Sequence, residues 1–413
     1  MTTSAGPAPL RILLTGGRSP AALEFARLFR AAGHRVYAAE SAPYHLCRAS
    51  ACVERSFQVP APAEDHPRFV GALIEIARAN GIDVLVPTCE EIFHLSRELH
   101  RFDGVCRVFA APLGELDRLH HKGSFIRAAE DAGLAVPATE PVESPDGWLP
   151  LLEDPRFADG LVLKPAYSRF ASRTLLLDPS RGPISFASRQ EIVRKLKEAQ
   201  ASQARPWVAQ RLLRGEEWCT YSVAHEGIVA AHVAYRSRFR AGRGASIHYA
   251  AEKEPRLLEW VRRFAKHTGF SGQLAFDFIR TSDGVFLPLE CNPRATSGIH
   301  LFGAEGRLAE AILAPGALLA EGRVAEPAAK DGRGAMLSAA MLSYGLTQAI
   351  GRRKLGEWLR AYRSGRDVVY RRDDPKPFAE QFRLLAWTWR VARRRSLSMQ
   401  EASTIDIEWN GER

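Results

Sequence analysis

The chain has 413 residues, with 57 Lys and Arg against 47 Asp and Glu, so its net charge is +10; 46% of it is apolar and 25% charged. That mixture is the ordinary one for a globular protein and excludes a disordered chain, a collagen-like repeat and a small disulfide-stapled scaffold. The positive excess suits anionic partners but does not by itself mean nucleic acid.

At roughly 100–200 residues per domain, two to four domains are expected. The six cysteines, Cys47, Cys52, Cys89, Cys106, Cys219 and Cys291, form no CxxC pair and are scattered, as in a cytoplasmic protein with reduced thiols. The first residues lack the pattern of a signal peptide. No apolar run approaches the ~20 residues needed to cross a bilayer.

The first segment, about 1–112, alternates strand and helix signals. A short apolar run, Leu10–Leu14, ends in Thr15-Gly16-Gly17. Pro20–Ala32 then carries Leu23, Phe25, Ala26, Leu28 and Phe29 on helical spacing, and Gly33 stops it. Arg35–Ala39 and Ile82–Val86 read as strands, with a helix over Phe69–Ala79 between them. This alternation predicts a parallel sheet covered by helices, a Rossmann-like α/β domain. A dinucleotide fingerprint needs GxGxxG, and only Gly16 and Gly17 are present, so the turn reads as a tight strand-to-helix connection.

Residues from about 113 to 325 predict an α+β arrangement on antiparallel strands. Gly160–Lys164, Thr174–Leu177 and Trp207–Leu213 read as strands. Trp218–His225 with Ile228–Ala234, and Gln273–Arg280 with Val285–Cys291, read as two hairpins. Helices are expected at Lys122–Ala132, Gln190–Ala199 and Arg256–His267. The last segment, 331–413, holds 16 Lys and Arg against 10 Asp and Glu and four of the eight tryptophans, and predicts an amphipathic helix over Pro375–Arg395.

The second hairpin carries the strongest chemical signal. Asp277 lies on its first strand, and Glu290 and Asn292 lie on its second within Glu290-Cys291-Asn292-Pro293-Arg294. Residues two apart on a strand share a face, so Glu290 and Asn292 project together. A short turn can bring Asp277 beside them. Two carboxylates and an amide oxygen make a hard-oxygen site of the kind that holds Mg²⁺ against phosphate. A solvated hairpin face is the plainer alternative, and the apolar neighbours Phe276, Phe278 and Phe286 argue against full exposure.

Two lysines add to this. Lys164 ends the apolar run Leu161-Val162-Leu163 and is followed by Pro165; Lys122 opens a helix, where the amino terminus favours negative charge. Either alone is more often a surface residue. A strand running through Gln210, Arg211, Leu212 and Leu213 into Gly215-Glu216-Glu217 offers backbone groups for a base edge and an acid for ribose hydroxyls.

Taken in order, these elements resemble the ATP-grasp superfamily, most closely its carbamoyl-phosphate-synthetase-like, carboxylate–amine ligase branch. The resemblance runs from about Asp117 to Ala325, with the domain before it. It implies a Rossmann-like pre-ATP-grasp domain at 1–112 and an ATP-grasp domain at 113–330. The latter has a lid subdomain at about 120–205 and a metal and ATP subdomain at about 206–325. A basic helical extension fills 331–413.

The resemblance also implies roles. Lys122 and Lys164 would hold ATP phosphates, with Lys164 also catalytic. Backbone groups of Arg211, Leu212 and Leu213 would read adenine, with Gln210 at the strand edge. Glu217 would hold the ribose, with Glu216 as runner-up. Asp277, Glu290 and Asn292 would bind one or two Mg²⁺, or Mn²⁺. Arg294 would stabilise the transferred phosphoryl group. One departure is the loop Ala166–Arg173, which lacks the family's glycines and offers Arg169 or Arg173 as charge instead.

Arg240 and Arg243, in an arginine-rich loop, are candidates to grip a substrate carboxylate, against the alternative of a solvated basic loop. His300 is a candidate for the acyl pocket, with a structural histidine as the alternative. The expected activity is ATP-dependent joining of a small carboxylic acid to an amine, an amino acid or peptide among them, or to a thiol, through an acyl phosphate. A homodimer is compatible with the sequence. Two other readings stand beside it. One is a non-catalytic nucleotide sensor or interaction protein that kept the fold, favoured by the altered loop. The other is nucleic-acid binding through the basic C-terminal segment, disfavoured because no recognition motif is present.

Overall fold

A computed structural model describes residues 8–168, 173–182, 185–241, 246–327 and 334–411. Three sheets organise the chain. The first is parallel, in the order β3-β2-β1-β4-β5, built from β1 (Arg11–Thr15), β2 (Arg35–Glu40), β3 (Arg55–Gln58), β4 (Val84–Val86) and β5 (Arg107–Val108). β1 and β4 are apolar nearly throughout because helices cover both faces. The short β3 and β5 escape notice in the sequence, since neither has a sustained apolar pattern.

After β1 the chain turns through Gly16 at φ +70° into helix Pro20–Ala31, capped by Ser19. The glycine pair is demanded by packing. A Cβ on Gly16 would stand 2.6 Å from Thr88 Oγ1, and one on Gly17 would stand 2.7 Å from His45 Nδ1.

The second sheet is antiparallel, in the order β6-β9-β7-β8, from β6 (Thr139–Val142), β7 (Leu161–Pro165), β8 (Leu175–Leu177) and β9 (Trp207–Arg211). Because β9 pairs with β6 and β7, the strand belongs with the second sheet. The sequence-based division at about 205 falls one strand too early.

The third sheet has the order β14-β13-β10-β11-β12-β15-β16. Its strands are β10 (Glu216–His225), β11 (Ile228–Arg240), β12 (Ser246–Ala251), β13 (Gly272–Arg280), β14 (Phe286–Asn292), β15 (Ala335–Met336) and β16 (Arg366–Asp367). One face of the sheet is sealed by helix Pro255–Thr268. Trp260 of that helix lies 5.0 Å, centroid to centroid, from Phe276, and Phe125 from the Lys122–Asp131 helix reaches the same ring at 5.7 Å. Burying each ring is worth about 1.5–3 kcal/mol. Strand alternation with Phe276 and Phe278 buried under that helix turns the intervening Asp277 toward the opposite face.

The C-terminal segment is not a detached appendage. Its β15 and β16 extend the third sheet, and its helix Lys376–Arg395 lies near the predicted bounds. Buried and part-buried ion pairs tie it to the first domain: Arg27–Asp374 at 3.0 Å, Arg371–Glu24 at 2.6 Å and Arg18–Asp406 at 2.7 Å. Among the described residues, no helix is long and apolar enough to cross a membrane.

Candidate active site

A cleft of about 460 Å³ opens where the second and third sheets face each other. Lys122, Lys164, Gln210, Arg211, Leu212, Leu213, Glu217, Arg240, Asp277, Glu290, Asn292 and Arg294 all line it. Six separate stretches of sequence therefore meet at one place.

The acidic end is set by strand register. Asp277 on β13 stands directly opposite Glu290 on β14, and Ala275 opposite Asn292. Alternation along β14 puts Glu290 and Asn292 on one face and buries Cys291 on the other. Asn292 Nδ2 donates to Glu290 Oε1 at 3.4 Å, and Asn292 Oδ1 accepts from Arg294 at 2.9 Å. Burial and the neighbouring Glu290 push the Asp277 carboxyl up. Burial also works against ionised Glu290, but Lys122 and Lys164 outweigh it and hold that carboxyl well below the usual range.

The basic end comes from two elements. Lys122 sits in the first turn of its helix behind the His121 cap; its Nζ lies 3.3 Å from Glu290 Oε2 and donates to Ser168 O at 3.1 Å. Lys164 sits near the end of the central strand β7, and its buried Nζ donates to Gln210 Oε1 at 2.9 Å and Leu289 O at 3.1 Å. Burial lowers its pKa to about 8, against the pull of Glu290. Gln210 is held in turn by donating to Thr139 Oγ1 at 3.1 Å.

Solved structures share this architecture. An L-amino acid ligase from Bacillus licheniformis is 15% identical with a TM-score of 0.52, over 73% of this chain and 70% of that one. An N5-carboxyaminoimidazole synthetase from Staphylococcus aureus, complexed with ADP, is 14% identical with a TM-score of 0.53, over 71% and 73%. A biotin carboxylase from Campylobacter jejuni, in a βγ-ATP complex, is 14% identical with a TM-score of 0.57, over 69% and 66%. The chain has the ATP-grasp fold. No protein-family model matches the sequence, and no curated protein matches it either.

Within the cleft the structure separates the sequence candidates. Glu217 lines the cleft, whereas Glu216 bridges Arg236 at 3.2 Å and Arg280 at 3.7 Å. Arg240 lines the cleft too, but its guanidinium is bound to Glu217 at 2.7 Å. Arg243 lies outside the described residues, as does Arg169.

His300 is a correction. It does not line the cleft among the described residues; it is buried beneath the third sheet with Nδ1 3.3 Å from Glu24 Oε2. The adenine expectation also narrows. The amides of Arg211 and Leu212 already donate to Ala138 O at 2.8 Å and Gly160 O at 2.9 Å. Of the three amides, that leaves Leu213 N–H for a base edge, alongside the chain's carbonyls.

A hard divalent cation fits the donor set. The charge of Glu290, which pushes the facing Asp277 carboxyl up, is relieved by a cation between the two, and Asn292 adds a third oxygen. Among the described residues, no group of three His, Cys, Asp or Glu is arranged for a metal, so the fit rests on this mixed set and argues against a zinc-type centre. Arg294 Nε is buried with no partner among the described residues, a donor suited to an incoming anion.

Glu90 and Trp409 carry no local signal that would mark them as part of the site. Glu90 Oε1 lies 3.6 Å from Arg294, and its Oε2 accepts the Trp409 backbone N–H at 3.1 Å. Trp409 Nε1 donates to Asp117 at 3.1 Å, and its ring stacks on Phe93 at 5.9 Å. The end of the chain thus braces the arginine of the cleft across a sequence gap that no local pattern reveals.

Proposed function

We propose that the protein is an ATP-dependent ligase that joins a small carboxylic acid to an amine, or to a thiol, through an acyl phosphate. The observation that carries this is the cleft's polarity: two buried ammonium groups at one end, and an oxygen-donor set 3.3 Å away across the Lys122–Glu290 contact. The named solved structures, one complexed with ADP and one a βγ-ATP complex, support a nucleotide as the occupant.

A carboxylate is a poor electrophile at neutral pH, and transfer of a phosphoryl group turns its oxygen into a leaving group. In this reading Lys122 and Lys164 hold the phosphates, Gln210 aims Lys164, and the chain at Leu213 reads the adenine. Glu217, steadied by Arg240, takes the ribose. Asp277, Glu290 and Asn292 would hold Mg²⁺, which neutralises charge on the phosphoryl oxygens when bound. Arg294 supports the negative charge that develops on the transferring group, and Glu90 and Trp409 fix its position. The amine then attacks the acyl carbon and expels phosphate. No Ser, Cys or His nucleophile is required, and positioning with electrostatics supplies the rate.

A coupled assay of ADP release over a panel of acids and amines tests this. Release that needs both an acid and an amine supports the reading. Tight ATP binding with no release from any pair would favour the nucleotide sensor.

A further inference from the structure

The cleft leaves the C-terminal helices unexplained, and their surface is unusual. Among the described residues, thirteen large apolar side chains are strongly exposed, and nine of them lie between residues 342 and 389. The helical run 338–351 and helix Leu355–Ser364 are joined by Trp358 Nε1 donating to Met341 O at 2.9 Å. On the second helix Leu355, Trp358, Leu359 and Tyr362 recur at i, i+3, i+4 and i+7, the spacing of an apolar stripe that normally faces a core. Here Trp358 and Tyr362 pack against the small core around Met341 and Ala361, but Leu355 is 50% exposed and Leu359 41%, and the preceding run adds Leu342 at 51% and Ile350 at 58%.

The charges around them have one sign. From 342 to 363 the chain carries Arg352, Arg353, Lys354, Arg360 and Arg363, all exposed, against the single acid Glu357, which is 3.2 Å from Lys354. The helix Lys376–Arg395 repeats the composition. Phe382 and Trp389 are exposed along it, and Arg393 stands over the Trp389 ring at 5.1 Å. Exposed apolar side chains ringed by guanidinium groups suit a surface that offers both apolar depth and negative charge.

We propose that the hairpin of helices 338–364 docks on an anionic phospholipid bilayer. Leu342, Ile350, Leu355 and Leu359 enter the acyl boundary, and the flanking Arg and Lys side chains meet headgroup phosphates. A second copy of this chain is a poorer occupant, since a twofold contact would set two cationic rims against each other. A soluble acidic peptide supplies the charge but little depth for four aliphatic side chains. The proposal stands apart from the ligase reading, because it is read out without turnover.

The test is sedimentation of the full-length chain with vesicles of phosphatidylcholine, with and without phosphatidylserine, at low and high salt. Binding is expected on the anionic vesicles and is expected to weaken with salt. It should fall roughly fivefold for each cation removed in Arg352→Gln and Arg353→Gln. The double variant Ile350→Ser, Leu355→Ser should lose it. Phe186→Ser, which removes an exposed apolar side chain elsewhere, should bind as the unaltered protein does. Absence of binding, equal binding to neutral vesicles, or an unaffected double variant overturns the proposal. So does a vesicle-free dimer that the same variants dissolve, which would assign the face to a second copy. Binding to soluble polyglutamate in place of vesicles would assign it to an acidic protein and equally overturns the proposal.

Discussion

Replacing Lys164 with methionine separates what the lysine costs the fold from what it contributes to the site. Its folded pKa is about 8 against an ordinary 10.5, a difference of roughly 2.5 units. At about 1.4 kcal/mol per unit this is a penalty of roughly 3 kcal/mol for holding the ammonium buried. The sign follows from the depressed value. Below pH 8 both states carry the charge and the folded state bears the full penalty. Between pH 8 and 10.5 the folded state releases its proton first and the penalty lifts.

The stability of the unaltered protein relative to Lys164→Met should therefore climb by up to about 3 kcal/mol across that window. At pH 7 the variant should be close to the parent. Its relief from the buried charge is offset by leaving Gln210 Oε1 and Leu289 O without their donor, at about 1–3 kcal/mol each. ATP binding should nevertheless fall sharply, since the phosphates lose a cation. Urea denaturation of both proteins from pH 7 to 10.5, with calorimetric ATP titration at pH 7, reads all of this. A stability difference that stays flat with pH, or a variant that binds ATP as well as the parent, would refute the reasoning.

Glu290→Gln should lower turnover by roughly 10²–10³-fold and weaken the dependence on Mg²⁺, measured by ADP release across a metal titration. Acid should unfasten the C-terminal segment. Burial raises Glu24, but His300 and Arg371 more than offset it and hold it at about 2; burial raises Glu40, and Arg18 holds it at about 2. Each therefore contributes about 3 kcal/mol that is present above pH 4.5 and lost as pH falls toward 2. Urea midpoints from pH 7 to 3 should drop accordingly, and less in a Glu24→Gln variant that already lacks one share. Gly215→Ala should destabilise by about 3 kcal/mol or more, since its Cβ would lie 2.0 Å from Arg280 O at the junction between the second and third sheets. Thermal melting of the variant checks this.

Much of the cleft was legible because its determinants are local. The alternation of Phe276, Asp277 and Phe278, and the two-residue step from Glu290 to Asn292, specify faces as soon as the hairpin is granted. Lys164 at the end of an apolar run and Lys122 at a helix start are likewise readable from a few neighbours. What was missed depends on partners far along the chain. His300 points away from the cleft because Glu24, 276 residues distant, claims it. β9 belongs with the second sheet because β6 and β7 flank it, and strand partners are not written in a strand's own residues. The C-terminal segment read as an extension, yet Arg18–Asp406 and Arg27–Asp374 span 388 and 347 residues to bind it to the first domain.

The most direct test is an experimentally determined structure of the protein with Mg²⁺ and a non-hydrolysable ATP analogue. The account predicts β- and γ-phosphate oxygens within hydrogen-bonding distance of both Lys122 and Lys164, with a metal ion on Glu290 and Asn292. A nucleotide seated elsewhere, or phosphates turned away from the two lysines, would contradict it.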